Sequence, residues 1–494
     1  MTNLSDLFPA GAGKQVSFTA DGNISAAGKP VILTAAGKAA PVAATAASMG
    51  TAADAGTGYR AGYTSGAAYH STNNSTVLCF PDSANSYYAT CTTATLSGTT
   101  MTMNTPTVIN STACHFVRCA YDATENRVVF FYKYNGSGNY GKARAASVSG
   151  STFTFGTEEN AFSNNALGNN EGDICNLDDS KVALCWGSVT SLTGANVEVV
   201  SISGSSLSFG TEASVSSNTS LPMRMASGKK GELLCQLGYS SHIQYVACTV
   251  SGTTVTAGTV TEISGGSSTI NDVASGFWAG YTSPESTYVA VYQTPGGGTD
   301  AMLGRVITVS GTTLTLNSTT ALSLEASSNY PAMGWGGSST QALFYYRDDA
   351  ATSFGRVTEI DYAGTTVSEG TTVTVGTSMY ANWGVAWDQT AEKSIVMYQD
   401  AGNSDAAAVN VFSPGSTNLT AADLLGISDA AISDTASGNV TIKGGIAVNG
   451  LSSLTPGTDY YAQGDGTIST SSSGDAVKLG KALSATSINL EYQS

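Results

Sequence analysis

The chain has 494 residues, a length that allows one large domain built from repeats or two to four ordinary domains. Charged residues make up 11% of it, against about 25% in a typical soluble domain, while hydrophobic residues make up 41%. The net charge of −16 excludes the basic field that binds nucleic acid or an anionic membrane surface, so neither partner is expected.

The N-terminal segment, residues 1–14, has no positively charged stretch followed by an apolar one. Nowhere in the chain do about 18 apolar residues run together, so we expect neither a cleaved secretion signal nor insertion into a membrane. Residues 15–60 then form a flank with a linker. It offers strands at 16–20 and 30–34 that are separated by the turn residues 21–23.

Residues 61–412 contain a repeat. Alternating apolar residues run into a glycine turn and out into a second alternating run, and the turn glycines stand 48 to 59 residues apart at positions 98, 150, 204, 252, 311, 364 and 415. A period near 50 with strand signals only is typical of β-propeller blades, and glycine supplies the positive φ that tight hairpins need. The sequence therefore predicts a seven-bladed β-propeller.

A short apolar run lies roughly 20 residues before each turn glycine, as in Val128–Tyr132. Such runs favour strands that are buried on both faces between stacked sheets. Cys79, Cys185 and Cys235 occupy one equivalent position in them, so we expect these thiols to be reduced and buried. The seventh unit lacks a fourth strand, and we expect a segment N-terminal to the first unit to supply it.

The C-terminal flank, residues 413–494, does not fit the repeat. It contains a possible short helix capped by Thr420 with Asp423 three residues on, followed by strands near 440–442, 460–463 and 488–492. Neither flank has enough apolar residues to close a core alone. The two flanks are therefore predicted to pair into one small split β-domain, sandwich-like or barrel-like, into which the propeller is inserted.

Several segments carry a family resemblance: residues 3–14, residues 454–461, Gly464-Asp465-Gly466-Thr467, residues 482–486, and the repeat segments at 148–156 and 397–404. They resemble virion structural proteins of tailed bacteriophages, especially marine and cyanobacterial phages, in which such modules occur in tail fibres, capsid fibres and decoration proteins. The resemblance implies other virion proteins as partners, a homo-oligomer, and synthesis and assembly in the host cytoplasm. It brings no catalytic residue. Residues 1–14 become an attachment segment, with Asn3, Leu4, Leu7 and Phe8 as candidate virion contacts.

The residues give little support to an enzyme. His70, His115 and His242 lie in no His-Glu-x-x-His motif, and the sequence contains no Cys-x-x-Cys pair, nucleophile elbow or phosphate-binding loop, so neither a metal site nor a cofactor is expected. The adjacent acids at 158–159, 178–179 and 348–349 are interpreted as solvated turn residues. Carboxylates distant in sequence can still converge, which keeps a glycan-degrading enzyme open.

Three tryptophans are the candidate glycan contacts. Trp278, Trp335 and Trp383 fall in or next to the predicted first strands of units five, six and seven. Indole rings stack on sugars and donate a hydrogen bond, although packing between neighbouring blades explains the same residues.

Together with the family resemblance, the sequence predicts a non-enzymatic exterior fibre or appendage that attaches to host-surface glycans. The alternatives are a capsid decoration (cement) protein and a glycan-degrading tail appendage.

Overall fold

A computed structural model describes residues 14–491, apart from residues 57, 62–64, 136–140, 163–171, 188–193, 218–222, 229–230, 240–241, 264–274, 282–285, 295–300, 325–326, 338–339, 349–353, 377 and 473–474. Within these residues the chain forms 43 β-strands and two 3₁₀ turns, Ser83–Asn85 and Ala401–Asn403, so the prediction of an all-β protein is confirmed. A helix long and apolar enough to span a bilayer is not found in this described part. The chain divides into two compact units, Ser48–Pro414 and the segments on either side of it.

Six short strands precede the repeats. They are β1 Gln15–Thr19, β2 Pro30–Leu33, β3 Ala39–Pro41, β4 Ala44–Thr45, β5 Ser48–Met49 and β6 Ala53–Asp54.

The first two repeats form antiparallel meanders, here named sheets I and II. Sheet I contains β7 Gly66–His70, β8 Ser75–Asp82, β9 Tyr88–Ser97 and β10 Thr100–Met103, and sheet II contains β11 Thr107–Asp122, β12 Arg127–Tyr134, β13 Gly141–Ser149 and β14 Thr152–Phe162. The long strand β11 pairs with β9 through its first half and with β12 through its second half. Sheets I and II are therefore continuous.

Sheets III to VI repeat the same meander. Sheet III contains β15 Gly172–Asn176, β16 Lys181–Gly187, β17 Ala195–Ser203, β18 Ser206–Phe209 and β19 Ala213–Ser216; sheet IV contains β20 Met223–Ser227, β21 Glu232–Tyr239, β22 His242–Ser251, β23 Thr254–Ala257 and β24 Thr261–Ile263; sheet V contains β25 Ser275–Tyr281, β26 Ser286–Thr294, β27 Ala301–Ser310 and β28 Thr313–Leu322; sheet VI contains β29 Ser327–Trp335, β30 Gln341–Asp348, β31 Phe354–Ala363 and β32 Thr366–Gly376.

Sheet VII combines strands from the beginning and from the end of the unit Ser48–Pro414. It contains β33 Met379–Asp388, β34 Lys393–Asp400 and β35 Ala406–Ser413. The outer edge of β35 pairs with β5 and β6, with Phe412 opposite Met49 and Val409 opposite Ala53. An N-terminal segment thus supplies the missing outer strands, as the sequence predicts. Residues 48–60 accordingly belong with the repeats and not with the flank to which the sequence assigned them.

The second unit joins the two flanks by strand pairing. Its later strands are β36 Ser416–Thr417, β37 Leu424–Ser428, β38 Ser437–Ile442, β39 Ile446–Ala447, β40 Asp459–Ala462, β41 Ile468–Ser469, β42 Val477–Ser484 and β43 Ser487–Leu490. Strand β1 pairs with β38, β2 with β37 and β4 with β36, while β39 to β43 form a further five-stranded sheet. The pairing expected between the flanks is present.

The helix expected after Thr420 does not form. The Thr420 hydroxyl accepts a hydrogen bond from the Asp423 amide at 3.1 Å, as an N-cap residue does at the start of a helix. It also donates to the Asp423 carboxylate at 2.7 Å. However, Leu424 already belongs to β37, where it pairs with Ile32 of β2. Sheet pairing of a buried leucine therefore ends the turn before a helix can continue.

The second strand of each repeat sheet is its most buried one. Every residue of β8 is buried, and Cys79, Cys185 and Cys235 lie at equivalent positions of β8, β16 and β21 with no exposed surface. All eight cysteines are free. Burial raises the pKa of the Cys185 thiol well above its usual range, which disfavours the reactive thiolate.

The turn glycines also hold neighbouring sheets together. Six of them, from Gly98 to Gly364, have φ between +57° and +62°, as expected for the hairpin turns of the repeat. Side chains of the preceding sheet reach these turns: Glu125 of sheet II accepts from Gly204 N at 2.8 Å, and Glu232 of sheet IV accepts from Gly311 N at 2.9 Å. In a similar contact, Lys393 of sheet VII donates to the carbonyl of Gly98, the turn glycine of sheet I, at 2.6 Å.

A second contact recurs along the outer strands. A Cβ atom placed on Gly156, Gly210 or Gly258 would collide with the backbone just after the turn glycine of the next sheet. A Cβ on Gly50 would collide in the same way with the Thr99 carbonyl, so the segment around β5 meets sheet I as the other outer strands meet their neighbours. The first strand of each sheet also contacts the first strand of the next, from β7 through β11, β15, β20, β25 and β29 to β33, and β33 contacts β7.

Candidate functional site

The three candidate tryptophans occupy different positions along the first strands of their sheets. Trp278 in β25 pairs with Val289, and Trp335 pairs with Ala342 at the end of β29. Trp383 lies where the pairing of β33 with β34 shifts, between Tyr380 and Gly384. The side chains of Trp278 and Trp383 lie outside the described residues, as do the attachment candidates Asn3, Leu4, Leu7 and Phe8. The register does not place the three tryptophans in one row.

Trp335 lies beside a tryptophan that is not one of the three candidates. It is half-buried, packs against the core between sheets V and VI, and its ring centroid lies 6.5 Å from that of Trp387 at an interplanar angle of 40°. Trp387 pairs with Ser394 at the equivalent hairpin of sheet VII. The two tryptophans stand 52 residues apart, one repeat length, and that spacing was the sequence signal for a pair that sequence reasoning missed.

A chain of polar contacts crosses the first strands of successive sheets. Arg118 of β11 donates from Nη1 to Ser65 O at 2.6 Å, and its Nε lies 4.0 Å from Oδ1 of Asp173 in β15. Oδ2 of Asp173 accepts from Met225 N of β20 at 3.0 Å. The Arg118 and Asp173 side chains are only 13% and 16% exposed. This chain joins the first strands of sheets I to IV, and its role is structural.

A cluster of polar side chains lies on sheet II around Glu158. The Tyr132 hydroxyl and the Asn110 side-chain amide both donate to Oε2 of Glu158, and Lys142 Nζ lies 3.3 Å from Oε1. Burial alone would raise the pKa of Glu158, but these three donors outweigh burial and hold the pKa below its usual value. The cluster therefore presents a stable carboxylate at neutral pH.

Arg144 fixes the backbone next to this carboxylate. Its Nε donates to Gly156 O at 2.9 Å, and its Nη1 donates to Ile109 O at 2.7 Å. The guanidinium also lies 4.7 Å from the ring centroid of Phe155. Gly156 belongs to a β-bulge in β14, where the pairing with β13 shifts. Arg144 thus satisfies carbonyls that the interrupted sheet leaves without a partner.

The Glu158 cluster is open to solvent on one side. The side chains of Lys142 and Glu158 are 17% and 24% exposed, and Lys142 Nζ lies 5.5 Å from the ring centroid of Tyr134. An anionic acceptor, a cationic donor and a half-buried aromatic ring therefore stand together. Groups of this kind bind sugar hydroxyls by hydrogen bonds and the apolar face of a sugar ring by stacking.

The structure corrects the expectation for the adjacent acids. Glu158 and Glu159 lie within β14, not in a turn, because the bulge continues the strand by several residues. Asp178 and Asp179 do lie in the turn between β15 and β16, with φ of +60° and +53°. Asp348 ends β30 and pairs with Arg356 at 3.3 Å, while residue 349 lies outside the described residues. Over the described ranges, no three histidine, cysteine or acidic side chains are grouped to hold a metal ion.

A second pair of acids, Glu198 and Glu212, lies on sheet III. Glu198 of β17 is 6% exposed, and burial together with the nearby Glu212 carboxylate raises its pKa to about 7. Because the folded pKa lies above the ordinary value, the free energy of unfolding should fall as pH rises from about 5 to 8. In Glu198→Gln this decrease should be smaller, leaving the variant about 1–3 kcal/mol more stable than the wild type at pH 8.

Urea unfolding at a series of pH values measures this effect. Glu392→Gln, at an exposed turn position of the same unit, is the control for the Glu-to-Gln exchange and should change stability by less than about 0.5 kcal/mol. Equal pH dependence in wild type and Glu198→Gln would show that the raised pKa is wrong.

Comparisons with known proteins assign no family. No family model matches the chain, and no curated protein matches it. Among solved structures, a protein of Lactobacillus plantarum is 12% identical with a TM-score of 0.44, over 63% of this chain and 85% of that one. The six-bladed β-propeller lectin of Aleuria aurantia, described with a fucose recognition mode, is 12% identical with a TM-score of 0.41, over 66% and 100%. A mutant of AofleA from Arthrobotrys oligospora is 7% identical with a TM-score of 0.42, over 74% and 100%. These likenesses assign neither a function nor a ligand.

Proposed function

We propose that the protein is a non-enzymatic structural component of a tailed-phage virion, an exterior fibre or appendage that binds host-surface glycans. The observation that carries the glycan part is the half-open cluster of Lys142, Glu158 and Tyr134 on sheet II. The virion part rests on the sequence resemblance of the two flanks and of the repeat.

We infer that the seven repeat sheets are the blades of a closed propeller inserted into a split β-domain. Two observations support closure. Lys393 of sheet VII meets the Gly98 turn of sheet I as Glu125 meets the Gly204 turn, and β33 contacts β7. The strand pairs β1 with β38 and β2 with β37 support the split domain.

Binding without catalysis fits the state of the acids. Three donors hold Glu158 ionised, which makes it an acceptor for hydroxyls and a poor general acid. Glu198 has the raised pKa of a general acid, but it is 6% exposed and cannot reach a polymer. A single shallow site binds weakly, and several copies on one particle raise the overall affinity through effective concentration.

A glycan array measures the proposed binding, with Lys142→Met as the test variant. Methionine keeps most of the side-chain stem and removes the ammonium donor, so binding to the array should weaken about tenfold, or about 1.4 kcal/mol. Lys38→Met is the matched control, since Lys38 is an exposed lysine 3.7 Å from Asp21 in the other unit. Equal loss in both variants, or no loss in Lys142→Met, would contradict the site.

The alternative roles give different results. A glycan-degrading tail appendage would shorten host polysaccharide, while the proposed binder leaves its length unchanged and competes with phage adsorption. A capsid decoration protein would not bind host cells, and antibodies against it would label the whole capsid lattice.

A further inference from the structure

Sheet V contains a pair of buried donors without a partner. Among the described residues, the hydroxyl of Tyr292 in β26 and Nε of Arg305 in β27 are shielded from solvent and have no hydrogen-bond partner. Tyr292 is 2% exposed, and Arg305 is half-buried. A buried donor left unsatisfied costs about 1–3 kcal/mol, and more when the group is charged.

The register of the repeats identifies the counterparts of these donors in sheet II. Tyr292 and Arg305 stand where Tyr132 and Arg144 stand, because Arg305 pairs with Ala290 as Arg144 pairs with Phe130. Immediately after this arginine, each sheet has a shift in pairing with its outer strand. Sheets II and V therefore share this site position by position.

The two sheets differ in the residue opposite the arginine. In sheet II Arg144 pairs with Glu158, whose carboxylate accepts from Tyr132. In sheet V the equivalent partner of Arg305 is Thr319. Sheet V thus keeps the tyrosine and arginine donors and lacks the carboxylate that accepts the hydrogen bond of the tyrosine in sheet II.

Two described neighbours of the pair, Tyr245 and Leu303, add no negative charge. Tyr245 of sheet IV lies close to both, and burial raises the pKa of Tyr292 more than the Arg305 guanidinium lowers it, so both phenols stay protonated at neutral pH. Lys142 of sheet II is replaced by Leu303. Among the described side chains, Arg305 is the charged group that acts on the pKa of both tyrosines.

We propose that sheet V binds the carboxylate of an acidic saccharide in the place that Glu158 fills on sheet II. The carboxylate accepts from the Tyr292 hydroxyl, as Glu158 accepts from Tyr132, and also from Arg305 Nε, whose counterpart Arg144 donates to the Gly156 carbonyl instead. The site itself does not depend on the proposed glycan-binding function, but the choice of a saccharide as the molecule that bears the carboxylate rests on it.

Two features favour a saccharide over a free small anion. Leu303 and Leu316 replace Lys142 and Phe155, which lines the place with aliphatic surface suited to the C–H face of a pyranose ring. Thr319, opposite Arg305, is exposed on β28, while the donor atoms of Tyr292 and Arg305 are shielded, so the carboxylate enters past Thr319 and the side chains over the donors must move. A ring can remain partly in water while its carboxylate reaches the buried donors.

Titration calorimetry of the full chain with glucuronate, glucose and acetate tests the proposal. Glucuronate should bind, acetate should bind about tenfold more weakly, and glucose should not bind at this site. Thr319→Glu supplies an internal carboxylate as in sheet II, so it should raise the Tm and weaken glucuronate binding at least tenfold. Unchanged glucuronate binding in Thr319→Glu, or no binding to the wild type, would overturn the proposal.

Two further variants keep the test decisive if Thr319→Glu does not fold. Tyr292→Phe removes only the hydroxyl and, with it, the cost of burying an unsatisfied donor, so it should raise the Tm while it weakens glucuronate binding several-fold. Glu158→Thr makes sheet II resemble sheet V and should add a second glucuronate site per chain. If neither variant changes affinity or stoichiometry, the carboxylate site is wrong.

These outcomes separate this site from the proposed function. Glucuronate binding that is lost in Thr319→Glu, with no binding to any glycan array, would support the carboxylate site and contradict glycan attachment as the role. Glucuronate binding that Thr319→Glu leaves unchanged, together with array binding that Lys142→Met weakens, would contradict the site and leave glycan attachment standing.

Discussion

Replacing Gly384 by valine should destabilise the unit of repeats by more than about 3 kcal/mol, because the new side chain has no room. Gly384 lies in β33, and a Cβ atom there would stand 2.7 Å from the carbonyl carbon of Gly66 in β7. Gly66 cannot move away easily, because the backbone of β11 lies close behind it. A Cβ atom on Gly66 would stand 2.9 Å from the Arg118 Cα. The first strand of sheet VII and that of sheet I must therefore separate.

Thermal unfolding and hydrogen exchange of the β7 and β33 amides measure this effect. Gly58→Val is the control, because Gly58 is in the same unit, has no positive φ, and a Cβ atom placed on it would have no other atom within 4 Å. It should change stability by less than about 0.5 kcal/mol. Equal stability of Gly384→Val and Gly58→Val would show that β33 does not pack against β7.

Much of the strand pattern was accessible to sequence reasoning because two signals repeat. The turn glycines have the positive φ that their spacing predicts, and the apolar runs before them form buried strands such as β8. The need for an outer strand on sheet VII followed from the count of strands in its repeat, and β5 and β6 supply it. These features depend on local conformation and on burial, both of which leave a mark in the sequence.

The candidate site was less accessible because it depends on register. Trp278, Trp335 and Trp383 all fall in or next to predicted first strands, yet Trp278 pairs with Val289, Trp335 pairs with Ala342 at the end of its strand, and Trp383 lies within a pairing shift of β33. Glu158 was assigned to a turn because a β-bulge lets β14 run on past Gly156. A bulge adds one residue to one strand and moves every later side chain, and no composition signal announces it.

Replacing Glu232 by alanine should cost about 3 kcal/mol, since it breaks two charge-assisted hydrogen bonds to a buried carboxylate. Glu232 begins β21 and is 8% exposed. Its Oε1 accepts from Gly311 N at 2.9 Å, and its Oε2 accepts from the Ser286 hydroxyl. One side chain of sheet IV therefore contacts both the start of β26 and the turn after β27 in sheet V. Alanine leaves the Gly311 amide without this acceptor.

A graded series distinguishes this contact from simple loss of charge. Glu232→Gln keeps one oxygen acceptor and should lose about half as much stability as Glu232→Ala in urea unfolding. Glu125→Ala should also destabilise, because Glu125 makes the same contact from sheet II, accepting from Gly204 N at 2.8 Å and from Ser180 Oγ at 3.2 Å. If the sheets share one cooperative ring, each variant lowers a single common transition. A separate early transition confined to sheets IV and V would show that neighbouring sheets unfold independently.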